Sequence, residues 1–380
     1  TGTETIELKN SSGGIENSLT YTSTVEGETI VADTFNRTAF GRISEFSDTG
    51  DASPTWDDGG GDTNWSTANN WDGNTVPTND GTADVTLDDA NSNADATWEL
   101  NSLNVDSFGT FDETLSGSKL SLGSGGINHN NVNNTFTINN DLLLLADQTF
   151  KAEGSLTLNG EVDLDQYALT LDDDDSGTDD IEFTGAIIDT GSGSITYDGT
   201  DTLTLNGSAD DAFEVDMTIN SLGTLVLGSN DQIADDASVT LNGGTWNLDT
   251  DGDTIANLTM NGGTLVKKSS TISNKLALGD STTVGNLSMN QGASISFTAN
   301  EARVELNGGG NIIYDGTGAG VSISSDDITE TKNGNLTLNR LGSGTTNFTH
   351  VFDIADGSDA SDMNISVEVD TFGSEGVDKQ

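Results

Sequence analysis

Apolar residues along this chain come in short alternating runs such as Leu156-Thr157-Leu158, Leu203-Thr204-Leu205 and Ile295-Ser296-Phe297. In an extended strand successive side chains point to opposite faces, so each triplet sends two apolar groups one way and a polar group the other. The residue that follows is usually Asn, Gly or Asp, the types that best tolerate the positive φ of a sharp bend. The unit recurs as LSLG at 120–123, FTIN at 136–139, LTLD at 169–172, LVLG at 225–228, LSMN at 287–290 and LTLN at 336–339. Its clearest self-match is NGGT, written at Asn242 and again at Asn261, nineteen positions on. At that offset Val239 falls on Leu258, Leu241 on Met260 and Trp246 on Leu265. Apolar meets apolar, which is the mark of a stacked repeat. The pattern predicts an all-β chain folded as a β-solenoid: coils of about nineteen residues stack at ~4.8 Å, with apolar side chains inside and Asn amides laddered at equivalent bends. No stretch carries a sustained 3.6-residue period with caps, so little helix is expected. An array of β-sandwiches is the competing arrangement, because short strands separated by turn signals also read that way.

Breaks in the pattern divide the chain into four parts. Residues 1–50 lack the NGG unit, hold Phe35, Phe40, Phe46, Arg37 and Arg42, and contain one lone strand-like run, Glu4-Thr5-Ile6-Glu7-Leu8. They are expected to be an N-terminal arm or assembly segment. Residues 51–100 hold both prolines and Trp56, Trp65, Trp71 and Trp98, and are expected to cap the entry to the repeats at 101–340. Residues 341–380 carry two further strand-like runs and the spaced acids Asp353, Asp356, Asp359 and Asp362, which suit a C-terminal β cap or assembly segment.

Charge narrows the choice of partners. Against 12 Lys and Arg stand 63 Asp and Glu, a formal charge of −51. Nucleic-acid affinity comes from cationic side chains displacing condensed counterions, so DNA and RNA are excluded as expected partners. The chain also repels itself, and its folded state calls for salt or bound cations. The longest apolar run, Leu142–Ala146, is far short of the ~20 residues that cross a bilayer, so no membrane insertion is expected. With no Cys in the sequence, disulfides and thiol chemistry are ruled out. The opening at Thr1 fits a mature exported protein whose signal has been removed.

The units NGGTWNL, NGGTLVK and LTLNG resemble the strand repeat of autotransporter passenger domains and other large secreted bacterial β-helix proteins. Asn64-Trp65, Asn70-Trp71, Val76-Pro77 and Asp80 look like the segment that often begins such repeats. The resemblance covers roughly residues 55–340. It implies an exported, surface-associated, right-handed parallel β-helix with non-repeating, β-rich terminal segments. Residues 341–380 are too few for the outer-membrane barrel of that family, so a cleaved passenger or a free secreted protein is expected.

Candidate chemistry is sparse. His129 and His350 have no evident partners and no Ser-His-Asp order is present, while carboxylate pairs occur by chance among so many acids. An enzyme is therefore not expected, although polysaccharide lyases and hydrolases share the architecture. Calcium is the ion the acid clusters point to, at Asp249, Asp251 and Asp253 or at Asp172, Asp173, Asp174 and Asp175. An EF-hand is excluded, since Thr254 stands where Gly is needed and Met260 where Glu is needed. The bland reading of each cluster is a solvated acidic turn. Trp65 and Trp71 could stack on sugars of cell-surface or matrix glycans, as in an adhesin, or could instead cover the open end of the solenoid. The leading expectation is an extracellular structural protein that polymerises with itself head to tail, through strand addition by Glu4, Thr5, Ile6, Glu7 and Leu8, into a filament, sheath or surface layer. A carbohydrate-binding adhesin or passenger and a polysaccharide-cleaving enzyme are the alternatives.

Overall fold

The apolar triplets pair with one another in parallel, each coil lying on the one before it, in a computed structural model of the chain. The structure describes residues 2–9, 15–23, 53–88, 91–106, 112–132, 134–173, 180–220, 222–249, 251–268, 274–280, 283–298, 302–325, 335–338, 350–357, 362–371 and 377–379. Among them the only helix is two single turns, Ala68–Asn70 and Asp72–Asn74. Everything else that is regular is strand. The fold is a parallel β-solenoid with three faces.

The first face carries Leu142–Leu144, Val162–Asp163 and Ile187–Ile188, passes through single bridges at Phe213 and Ile233, and is taken up by Asp253–Ile255, Leu276–Leu278 and Arg303–Leu306. The second holds Ala168–Asp172, Ser194–Tyr197, Asp216–Ile219, Val239–Leu241, Leu258–Asn261 and Leu287–Asn290, one per coil. The third is a continuous stack of 12 strands from Ser92–Ala94 to Met363–Ser366. The sequence alignment at nineteen residues is the register found: Val239 pairs with Leu258, Leu241 with Met260 and Trp246 with Leu265. Nineteen is not a fixed coil length, however. Partners on the third face stand 22 residues apart at Thr202 and Thr224, 30 at Thr264 and Ser294, and 42 at Ser322 and Asn364. Bends absorb the added residues while the strands keep their register, since surface loops tolerate insertion at small entropic cost.

Strands alternate buried and half-exposed residues, and Leu156, Leu158, Leu203, Leu205, Ile295 and Phe297 all point inward. Each fully buried aliphatic or aromatic side chain contributes ~1.5–3 kcal/mol relative to exposure. The expected amide ladder is present at the corner after the second face. Asn242 Nδ2 donates to Asn220 Oδ1 at 2.9 Å, Asn261 to Asn242 at 3.0 Å and Asn290 to Asn261 at 3.2 Å. Beyond Asn242 and Asn261 the NGGT corner turns on Gly243, Gly244, Gly262 and Gly263, all at positive φ. A Cβ on Gly263 would lie 2.3 Å from the Gly243 carbonyl oxygen, so only glycine lets the two corners stack.

Parallel pairing extends past both expected ends of the repeats, from Thr55 with Thr86 to Phe352 with Lys379. The Trp-rich segment is thus coil and plug together. Trp56, Trp65, Trp71 and Trp98 are buried in edge-to-face contact, with ring centroids 5.1, 5.4 and 5.8 Å apart along the series 56–71, 71–65 and 65–98. Residues Thr1–Ser47 form a separate compact unit. Within it Gly2–Lys9 pairs antiparallel with Ile15–Ser23, Glu4 opposite Tyr21 and Leu8 opposite Asn17. The run Glu4–Leu8 is therefore one half of a hairpin and not a lone strand. Phe35, Phe40, Phe46, Arg37 and Arg42 lie outside the described residues.

Candidate metal centre

Three aspartates from two successive corners converge at the start of the first face. Asp211 and Asp231 both adopt left-handed backbone, φ 55° and 58°, a conformation Asp tolerates better than most residues. The Asp211 amide donates to the Asp231 carbonyl at 2.7 Å, and the Asp231 amide to the Gly252 carbonyl at 2.8 Å, so three corners stack in a column. Past each acid the chain turns inward at Phe213 and Ile233, which anchor the bend in the core. Asp235 follows Ile233 on the way out and completes the group. One carboxylate oxygen from each of Asp211, Asp231 and Asp235 lies within 4.8 Å of the others.

Partial burial raises all three carboxyl pKa values. Repulsion adds to it, from Asp210 at Asp211 and from Asp211 at Asp231 and Asp235, while an amide hydrogen bond from Asp235 pulls the Asp211 value back. One coil further on, Asp253 is enclosed. Its Oδ2 accepts the amides of Gln232 and Ile233 at 3.0 Å each, and burial pushes its pKa up to about 8. Three hard oxygen donors at a solvent-facing corner suit a divalent cation that keeps part of its water shell, as Ca²⁺ with its 6–8 oxygen ligands readily does.

The acids singled out in the sequence are not gathered this way. Asp249 is exposed and 3.9 Å from Lys268 Nζ, Asp251 offers its carbonyl to Lys267 Nζ at 2.5 Å, and Asp253 points into the solenoid. The turn closed by the Asp251 amide on the Leu248 carbonyl at 2.8 Å breaks the two-residue alternation that would have put all three on one face, so Asp249, Asp251 and Asp253 form no shared cage. Asp172 lies on the outer wall, whereas Asp173 turns inward to accept the Tyr197 hydroxyl and, at 2.8 Å, the Thr200 amide. The two cannot share an ion either. Asp174 and Asp175 lie outside the described residues. In the tail, Asp362 accepts the Gly357 amide at 3.1 Å.

Two other candidates are closed off. Trp65 and Trp71 are 0% and 1% exposed, so neither presents a ring face to a sugar; the rings form the plug. His129 is fully buried, with Nε2 2.9 Å from Asn134 Oδ1 and Nδ1 3.2 Å from the Gly154 carbonyl, and burial lowers its pKa. The Asp211 corner was missed in the sequence because its acids come from separate turns. A signal was there to find: Asp211-Ala212-Phe213 and Asp231-Gln232-Ile233 repeat acid and inward apolar residue at the same offset. No family model, curated protein or solved structure matches the chain.

Proposed function

We propose that this protein is an extracellular structural component that assembles with itself head to tail. The reading rests on the difference between the two extremes of the coil stack. At one, the tryptophan plug and the antiparallel bridge between Trp56 and Trp71 cover the first coil. At the other, Met363–Ser366, Glu368–Thr371 and Val377–Lys379 pair, among the described residues, only with the coil before them. Unpaired strand edges accept further strands, and Gly2–Lys9, paired on one side only among the described residues, is the strand to add from a neighbouring copy. Such a contact joins unlike surfaces and propagates without closing. Divalent cations at Asp211, Asp231 and Asp235 would offset part of the −51 charge that opposes the approach of copies.

Negative-stain images of the purified protein test the proposal directly. Filaments or sheets are expected from the full chain, and folded monomers once residues 1–12 are deleted. Polymers unchanged by that deletion would refute strand exchange, and a monodisperse full-length protein at high concentration would refute assembly altogether.

A further inference from the structure

The outer surface of the third face carries a strip without charge. Register places Thr202, Thr224, Thr245, Thr264, Ser294 and Ser322 in one column, six hydroxyl residues on six successive coils. Two residues along each strand a second column runs parallel to it, so the outward pairs read Thr-x-Thr, Thr-x-Val, Thr-x-Asn, Thr-x-Val, Ser-x-Ser and Ser-x-Ser. None of these twelve positions is charged, in a chain where 63 of 380 residues are acidic. On the second face the outer column Thr170, Thr196, Thr218, Thr240, Thr259 and Ser288 is interrupted by charge over its first three coils, where Asp172, Asp198 and Asp216 stand two residues from Thr170, Thr196 and Thr218; only its last three coils are free of acids. All twelve positions of the strip are half-exposed.

The lattice is fixed by the backbone. Columns repeat at the strand spacing of ~4.8 Å and lie ~6.6 Å apart along the strand, over a length of ~24 Å. Threonine is restricted at χ1, which narrows the directions its hydroxyl and methyl can take on each coil. Thr264 Oγ1 and Ser294 Oγ bond each other at 3.0 Å, while the hydroxyls of Thr202, Thr224, Thr245 and Ser322 have no side-chain partner among the described residues. Each can both donate to and accept from water, at positions spaced by the strands.

We propose that this strip binds ice. The partner must be neutral, since a charged group would keep its own hydration shell and the surrounding protein is strongly anionic; it must hydrogen-bond in both senses; and it must repeat over many coils in two directions. The surface of crystalline water meets all three requirements. A crystalline glycan fits less well, because no aromatic ring stands on the strip and its one nearby indole, Trp246, is wholly buried. A second copy fits less well too: a strip two columns wide is far smaller than the ~800 Å² per partner that a standard interface covers. This inference is independent of head-to-tail assembly.

The test is incorporation of the fluorescently labelled full chain into a slowly growing ice hemisphere, together with its effect on ice recrystallisation. The native protein is expected to enter the ice and slow grain growth. The double variant Thr224→Tyr, Thr245→Tyr is expected to be excluded like an unrelated protein, whereas Thr196→Tyr, Thr218→Tyr on the second face retains full incorporation. Should the first pair fail to fold by circular dichroism, Thr224→Val, Thr245→Val removes the hydroxyls at constant shape and is likewise expected to be excluded. Exclusion of the native protein would overturn the proposal. So would equal loss from both faces, or retention on crystalline cellulose or chitin without entry into ice.

Discussion

At Trp56, Trp65, Trp71 and Trp98 the solenoid interior is closed by aromatic rings in edge-to-face contact, whereas at Asp211, Asp231 and Asp235 carboxylates crowd one another at a solvent-facing corner, one coil from the buried Asp253. Both regions solve the problem of ending or turning a coil. The plug does so by dispersion and apolar burial, which are indifferent to proton and salt. The acidic corner does so with groups whose charged form the fold disfavours, so its contribution depends on what neutralises them. One region is a constant of the molecule and the other a variable.

The comparison breaks most readily at the plug. Trp71→Ala removes a buried ring and the indole donor that bonds the Trp65 carbonyl at 2.7 Å. A loss of ~3–5 kcal/mol is expected, read as an earlier denaturant midpoint and equal at pH 5 and pH 8. Carbohydrate arrays should not register the change, because the ring was never exposed.

The acidic corner should behave oppositely towards pH. The Asp253 pKa rises from ~3.9 in the unfolded chain to about 8 in the fold. The protonated carboxyl is the form the fold favours, so its contribution is complete below pH ~4 and is lost progressively as pH rises through about 8. Asp211, Asp231 and Asp235 shift in the same direction and add to it. Thermal unfolding in EDTA should therefore fall from pH 5 to pH 9 by an amount equivalent to a few kcal/mol, and Asp253→Asn should flatten that slope. A melting temperature that climbs over this range would contradict the assignment.

Calcium should recover part of what alkaline pH removes. At one hundred times its dissociation constant a ligand specific for the fold adds ~2.7 kcal/mol, so titration at pH 8 should raise the melting temperature. Asp231→Asn should abolish the response, while the equivalent change at Asp249, which faces Lys268 on the surface, should leave it intact. The smallest expected effect lies at the amide ladder. Asn242→Ala removes a donor to Asn220 and an acceptor for Asn261 and should cost ~1 kcal/mol, with no dependence on pH or calcium.

Legibility in the sequence followed the same divide. The pairing of Val239 with Leu258 and of Trp246 with Leu265 was readable because both partners obey one period and one face. The stacked Asn242 and Asn261 were readable for the same reason. The acidic corner was not, because a bend has no two-residue alternation: Asp249 faces water and Asp253 faces the core four residues later, and nothing in the string DTDGD distinguishes them. Nor could composition show that Trp65 and Trp71 lie under the first coil, since an indole suits a sugar platform as well as a plug.

The paired glycines at the NGGT corners carry a consequence for how such a chain changes length. Because Val239 and Leu258 occupy equivalent places, residues 239–257 constitute a cassette whose two junctions share one geometry. A second copy spliced in after residue 257 would meet a glycine bend above and another below, and would lengthen the column by one strand spacing, ~4.8 Å. Slippage during copying of the gene could therefore ratchet the molecule taller or shorter in whole steps without disturbing either extremity.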